Sequence, residues 1–159
     1  DRQVQDLLAG AYWQVPPGPK ADVAIVYTGV VAPEALDAFQ QILEDVPDAG
    51  LLAVPSPDRL HHEWTAALAA RARGARTFSH VERLLGMLPR QAGLATVIDG
   101  PPATLSWLGG VRGHRVAPLG VERFGQSGDL PDLYREYRLD ADAILDAVAA
   151  VVVPLPDVP

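Results

Sequence analysis

The residues most suggestive of chemistry form the run Gly125-Gln126-Ser127-Gly128-Asp129. A Gly-x-Ser-x-Gly turn presents the nucleophilic serine of α/β hydrolases, but here Asp129 replaces the last glycine. The catalytic histidine of such an enzyme follows the serine in the chain, whereas all four histidines of this chain precede it: His61, His62, His80 and His114. The run therefore predicts a corner in which Ser127 or Asp129 caps the next helix, and it argues against a serine hydrolase.

Two other places carry residue types that could bind or react. His61-His62-Glu63 contains metal-ligating side chains, but adjacent helical residues point about 100° apart and do not converge on one ion. His61 borders an apolar helix face, so it is a candidate for lining a pocket formed with a neighbouring domain. Asp99 follows a buried strand, at the edge where open parallel sheets bind ligands; a turn or capping role competes there with a catalytic one.

Phosphate-binding motifs are not found in the sequence. The chain has no P-loop, and the glycine-rich run 109–113 precedes a strand instead of following one, so it does not form a dinucleotide fingerprint. The aspartates near the carboxyl end fit helix starts and a solvated face rather than a catalytic pair: Asp129, Asp132, Asp140, Asp142 and Asp146.

Length and composition predict a single domain spanning residues 1–159. The chain is 48% hydrophobic and lacks cysteine, which excludes disulfides and thiolate chemistry. Its net charge of -7 argues against nucleic acid and anionic membranes as partners, and no apolar run approaches the length of a membrane span, so we expect a cytoplasmic protein. Because it begins with Asp1 and its single methionine is Met87, we expect a fragment of a longer multidomain enzyme.

Buried apolar runs alternate with amphipathic stretches along the chain. The runs at 11–15, 22–28, 51–54, 94–98 and 115–119 predict strands, and residues 76–78 predict a short extended piece. Helix-start signals stand at Pro33, Ser56-Pro57, Ser79 and Pro101, and Gly109-Gly110 is expected to end the helix that begins at Pro101. Two short helices close the domain before a frayed tail. This alternation predicts an α/β fold: a three-layer, mainly parallel sheet of about five strands with helices on both faces.

Several short motifs, in matching order, resemble the transketolase C-terminal-domain family. They are Gly10–Trp13, Val26–Gly29, Val54–Ser56, Pro118–Gly120, Phe124–Ser127, Leu133-Tyr134 and Leu139–Ile144. The resemblance covers nearly the whole chain and is closer to the C-terminal domain of thiamine-diphosphate-dependent 2-oxoacid dehydrogenases of the homodimeric bacterial pyruvate dehydrogenase type. Transketolase itself is the alternative, and a free-standing α/β ligand-binding or regulatory module is another.

The resemblance implies a non-catalytic structural and dimerisation domain. In that family two other domains hold thiamine diphosphate and Mg²⁺, through a Gly-Asp-Gly…Asn motif that this sequence lacks and an activating glutamate. We therefore expect no catalytic, cofactor-binding or metal-binding residue in this chain, although the parent enzyme would be an oxidoreductase. The expected partners are the other domains of the enzyme, a second copy in a homodimer, and the acyltransferase component of a dehydrogenase complex. The pocket or interface candidates are His61, Asp99, Phe124, Gly125, Ser127 and Asp129.

Overall fold

The computed structural model describes residues 2–122 and 130–158. The strands are β1 (Tyr12–Val15), β2 (Val23–Thr28), β3 (Gly50–Ala53), β4 (Gly93–Ile98) and β5 (Val116–Leu119). The helices are α1 (Arg2–Ala9), α2 (Ala32–Ile42), α3 (Pro57–Ala72), α4 (His80–Leu85), α5 (Ala103–Ser106), α6 (Gly109–Arg112), α7 (Leu130–Glu136) and α8 (Ala141–Val152). A short 3₁₀ turn, Gly29–Val31, leads from β2 into α2.

The five strands form one sheet in the order β1-β3-β2-β4-β5. Strand β1 is antiparallel to β3, and the other neighbours are parallel, with Ile25 of β2 lying between Leu51 of β3 and Ala95 of β4. All six residues of β2 are buried, as expected for a central strand covered on both faces. The predicted α/β fold with a mainly parallel, five-stranded sheet is confirmed.

Each face of the sheet carries its own apolar core. On one face, Ile25 and Tyr27 of β2 pack with residues of α2 and α8 that include Phe39, Ile144 and Val148. On the opposite face, residues of α3 to α6 cover Ala24 and Val26 of β2: Leu60, Leu84, Leu85, Leu105 and Leu108. The side chains of a strand alternate between faces, so one continuous apolar run supplies both cores.

Two predicted helix caps are confirmed and one is wrong. Ser79 and Glu82 form a capping box, in which the Ser79 hydroxyl accepts from the Glu82 amide and the Glu82 carboxylate accepts from the Ser79 amide. The Asp140 carboxylate accepts a 2.9 Å bond from the amide of Ala143 at the start of α8. Ser56 precedes α3, but its side chain makes no capping bond, so Pro57 in the first turn is the remaining start signal.

The segment after Pro101-Pro102 differs from its prediction. It forms two short helices, and Gly109-Gly110 begins the second of them instead of closing one longer helix. That second helix ends at Gly113, whose φ of 82° is in the left-handed region that glycine adopts without strain. Residues 76–78, predicted as a short extended piece, do not join the sheet.

Within residues 2–122 and 130–158, no helix combines the length and the apolar character that crossing a membrane requires.

Candidate functional site

The carboxyl ends of β2 and β4 lie side by side in the middle of the sheet. The chain passes from β2 to β3 on one side of β2, and then returns from β3 to β4 on the other side. The loop after β2 leads toward β3 on one side of the sheet, and the loop after β4 leads toward β5 on the other side. In open α/β sheets a ligand site usually lies between two such diverging loops. Asp99 follows β4 directly at this point, where the sequence predicts it.

Two side chains that the sequence does not indicate as site residues lie close to this edge of the sheet. Glu34 lies in the first turn of α2, after β2, and Tyr134 lies on α7. Tyr134 is only 5% exposed, yet its phenol oxygen has no hydrogen-bond partner among residues 2–122 and 130–158. The Oε2 atom of Glu34 is also buried and, within the same described residues, has no partner. Buried polar atoms are normally paired, so both atoms mark a place where a further group can bind.

The charges around Tyr134 affect its phenol. Burial raises the pKa of Tyr134 above its ordinary value, and the negative charges of Glu34 and Asp99 raise this pKa further. The carboxylates of Glu34, in α2, and Asp99, just after β4, are thus close enough to interact electrostatically with the phenol of Tyr134, in α7. At neutral pH the phenol stays protonated and can either donate or accept a hydrogen bond.

Glu34 and Tyr134 belong to a wider depression between α2, α7 and the start of α8, which we call the acidic cleft. Its lining residues are Pro33, Glu34, Asp37, Gln41, Pro131, Tyr134, Arg135, Asp140, Ala141 and Asp142. Among the described residues, Arg135 is the single basic residue of this lining, and its guanidinium is paired with Asp132. The unpaired charge that faces the cleft is therefore negative.

His61 lies on the opposite face of the sheet, in a cluster of aromatic rings. Its ring is 4.8 Å from the ring of Trp107 and 5.9 Å from that of Trp64, in edge-to-face contacts, and the two tryptophans stack at 5.2 Å. Both tryptophans pack against the core on that face, while the His61 side chain is exposed. The predicted position of His61 beside a buried stripe is confirmed, but the fold does not bring it together with Asp99.

The other predicted site residues have different outcomes. Phe124, Gly125, Ser127 and Asp129 lie outside the described residues. His80 begins α4, and its Nε2 lies 2.8 Å from the Ala11 carbonyl oxygen; the Nδ1 of His114 lies 2.9 Å from the Ala92 carbonyl oxygen. Both imidazoles are buried parts of the structure. His80 lies at a helix start and His114 lies in a loop, and both side chains are buried.

The acidic cleft does not fit a magnesium diphosphate group. In the part of the chain that the structure describes, no group of three or more histidine, aspartate or glutamate side chains could hold a metal ion. The first turns of α2, α3 and α8 carry Glu34, Asp58 and Asp142, whose negative charges would repel a phosphate at those helix starts. The described residues therefore give no cradle for thiamine diphosphate.

Sequence could not identify Glu34 and Tyr134 as site residues. Glu34 reads as an ordinary acid in a first helical turn, and Tyr134 reads as part of a buried helix stripe. A hydroxyl within an apolar stripe is a weak signal, because most buried tyrosines find a partner. Only the fold shows that Glu34 and Tyr134 each keep a buried oxygen without a partner in the described part of the chain.

Comparison with known proteins gives matches among solved structures alone, since no protein-family model and no curated protein matches the chain. Transketolase from Leishmania mexicana superimposes with a TM-score of 0.64 at 16% identity, over 94% of this chain and 19% of that one. Transketolase from Pichia stipitis, solved with sedoheptulose-7-phosphate, gives 0.62 at 22% identity over 94% and 19%. A split-gene transketolase, described as an inactive β4 tetramer, gives 0.59 at 17% identity over 89% and 42%.

These matches define the class of fold. The chain is an α/β domain with the fold of the transketolase C-terminal domain, and it spans about a fifth of the length of the first two transketolases described above. At these identities the likeness establishes the architecture, which agrees with the family resemblance of the sequence motifs.

Proposed function

We propose that this chain is the third, non-catalytic domain of a multidomain thiamine-diphosphate-dependent enzyme. Its role is to pack against the neighbouring domain and to extend the surface through which two subunits pair. The observation that carries the proposal is the match of nearly the whole chain to a small part of much longer transketolases. The parent enzyme is a 2-oxoacid dehydrogenase of the homodimeric bacterial type or a transketolase, and the matched structures support these two equally.

The outer surface of α1 supports a packing role. This helix buries none of its residues against the rest of the chain, and its apolar side chains Val4, Leu7 and Leu8 are 52%, 46% and 62% exposed. An exposed apolar face of this kind is typical of surfaces that meet another domain or subunit. The same surface is available to an acyltransferase component if the parent works in a dehydrogenase complex.

The first test is titration calorimetry of the 159-residue chain with thiamine diphosphate and Mg²⁺. We expect no measurable heat of binding, because the described residues offer neither a metal cluster nor a phosphate cradle. The control is the full-length parent enzyme, which must bind both under the same conditions. Tight, Mg²⁺-dependent binding to this chain alone would contradict a non-catalytic role.

The second test separates the two parent enzymes. The gene region upstream of Asp1 should encode a Gly-Asp-Gly…Asn motif and a second α/β domain. The purified parent is then assayed with pyruvate and an artificial electron acceptor, and separately with a ketose phosphate donor and an aldose phosphate acceptor. Oxidation of pyruvate identifies the dehydrogenase, and transfer of a two-carbon unit identifies the transketolase. A start codon immediately before Asp1 would overturn both and favour a free-standing ligand-binding module.

A further inference from the structure

The acidic cleft contains two buried polar atoms that have no hydrogen-bond partner among residues 2–122 and 130–158. The phenol oxygen of Tyr134 and the Oε2 of Glu34 come from different helices, and both helices line the same cleft. Leaving a buried polar atom unpaired is unfavourable, so each atom favours a bound group that restores its hydrogen bond. The site is therefore more than a group of surface acids, because a nearly fully buried tyrosine points to a missing partner.

The side chains around the cleft determine which charge a group bound to Glu34 and Tyr134 should carry. Asp99 acts electrostatically on Tyr134 from one side, and Asp37, Asp140 and Asp142 line the cleft around Glu34. Some of these carboxylates already accept bonds: Asp37 accepts from Gln41 at 3.3 Å, and Asp140 caps α8. The Oε2 of Glu34 remains free for a ligand within the described residues. Anionic ligands are disfavoured here, and a cation that donates several hydrogen bonds is favoured.

The arrangement of acceptors favours an organic cation over a metal ion. A divalent ion needs several oxygen ligands at about 2.0–2.6 Å, and residues 2–122 and 130–158 provide no cluster of three or more suitable side chains. A guanidinium presents five N–H donors in one plane and is weakly hydrated, so it can satisfy a carboxylate oxygen and a phenol oxygen together at low desolvation cost. An ammonium group has the same charge but concentrates its donors at one point.

We propose that the acidic cleft binds a guanidinium group, which donates hydrogen bonds to Glu34 and Tyr134. The group belongs either to a small free guanidinium compound or to an arginine side chain of a protein segment. The guanidinium site does not depend on the proposed function. Its test uses the 159-residue chain alone.

The experiment follows the amide NMR spectrum of the chain during titration with L-argininamide, and with L-citrullinamide as the uncharged analogue of the same shape. We expect saturable shifts at residues of α2 and α8 that line the cleft, and an affinity for argininamide about tenfold higher than for citrullinamide. Glu34→Gln should lower the argininamide affinity by about tenfold, and Tyr134→Phe by about threefold. Each variant is first shown to keep the amide spectrum of the folded protein.

The matched control is Glu44→Gln, which makes the same chemical change at an exposed residue just beyond α2 and outside the cleft. It should leave the argininamide affinity unchanged. Equal affinity for argininamide and citrullinamide would overturn the proposal, and so would an equal loss in Glu34→Gln and Glu44→Gln, which would indicate nonspecific attraction to an acidic protein.

A further arm distinguishes the two sources of the guanidinium. Methylguanidinium and the blocked peptide acetyl-Gly-Arg-Gly-amide are titrated separately. If the source is a protein segment, the peptide binds at least as tightly as argininamide. If it is a small compound, methylguanidinium binds and the peptide does not. Failure of both probes to shift the amide resonances of the cleft would contradict recognition of the guanidinium group itself.

Discussion

The imidazole of His114 is a buried titratable group within the structural core. It is 5% exposed, and its Nδ1 lies 2.9 Å from the carbonyl oxygen of Ala92. Burial lowers the pKa of His114; the bond to Ala92 opposes this effect, and the positive charges of Arg112 and Arg90 add to the lowering. The folded protein therefore holds this imidazole neutral at a pH where the unfolded chain would protonate it.

That difference predicts a pH dependence of stability. The contribution of neutral His114 is fully present above the ordinary histidine pKa of about 6.5. It is lost as the pH falls from that value through the lower pKa of the folded state, with a slope of at most about 1.4 kcal/mol per pH unit. Urea unfolding between pH 7 and pH 5 should show this slope in the wild type and a shallower one in His114→Asn, whose amide can still donate to Ala92.

The control for this measurement is His62→Asn, at an exposed position on α3. It should retain the full wild-type slope, because an exposed side chain keeps its contact with water when the chain folds. An unchanged slope in His114→Asn would show that other groups cause the acid sensitivity.

At the scale of elements, one carboxylate joins the end of α3 to the start of α4. Glu82 accepts bonds of 3.0 and 2.6 Å from the two terminal nitrogens of Arg71, and it also accepts from the amide and the hydroxyl of Ser79. Burial raises the pKa of Glu82, but the hydrogen bonds from Arg71 and Ser79 outweigh burial and hold the pKa below its ordinary range. The capping box is thus also the anchor of a helix-helix contact.

Glu82→Gln should destabilise the protein by about 1–3 kcal/mol at pH 7, because several charge-assisted bonds lose their charge. The charge contribution is present above the unfolded carboxyl pKa of about 4.3 and is lost as the pH falls through the lower folded pKa. The difference in unfolding free energy between wild type and variant should therefore shrink below pH 4. Glu44→Gln serves as the exposed control, and a difference that is constant from pH 7 to pH 3 would rule out the ionic contribution.

The elements also show where sequence reasoning succeeds and fails. Continuous apolar runs identify the buried strands, and the Ser79–Glu82 spacing identifies a real cap, because both signals act within a few residues. Leu68 is an apolar residue of α3 and is nevertheless 41% exposed, because burial depends on the neighbouring elements that a helix meets. Gly109-Gly110 was predicted to end a helix and instead begins one, as glycine pairs permit either.

At the scale of the whole molecule, the site depends on contacts between distant parts of the chain. The position of Asp99 was predictable, because parallel strands end at a common edge. The roles of Glu34 and Tyr134 were not predictable, because they line the same cleft only where α7 lies beside α2. No local pattern encodes that arrangement. An unpartnered phenol can be recognised only after every neighbour has been placed.

The position of α8 itself rests on a glycine in the sheet. This helix packs against α2, β4 and β5, and a Cβ atom added to Gly93 of β4 would overlap the side chain of Val151. Val151 is buried within the core on that face. The absence of a side chain at Gly93 therefore allows the last helix to approach the central strands closely.

Gly93→Ala should destabilise the protein by about 1–3 kcal/mol through overpacking, and Val151→Ala by about 1–2 kcal/mol through lost apolar burial. In the double variant the smaller side chain at 151 makes room for the new methyl group. Its loss should therefore fall short of the sum of the single losses by more than about 0.5 kcal/mol. The measurement is a double-mutant cycle of urea unfolding free energies.

Val148→Ala, at another buried position of α8, is the matched control, and its loss of unfolding free energy should add to that of Gly93→Ala. Simple additivity in the Gly93–Val151 pair would show that α8 does not depend on this close approach.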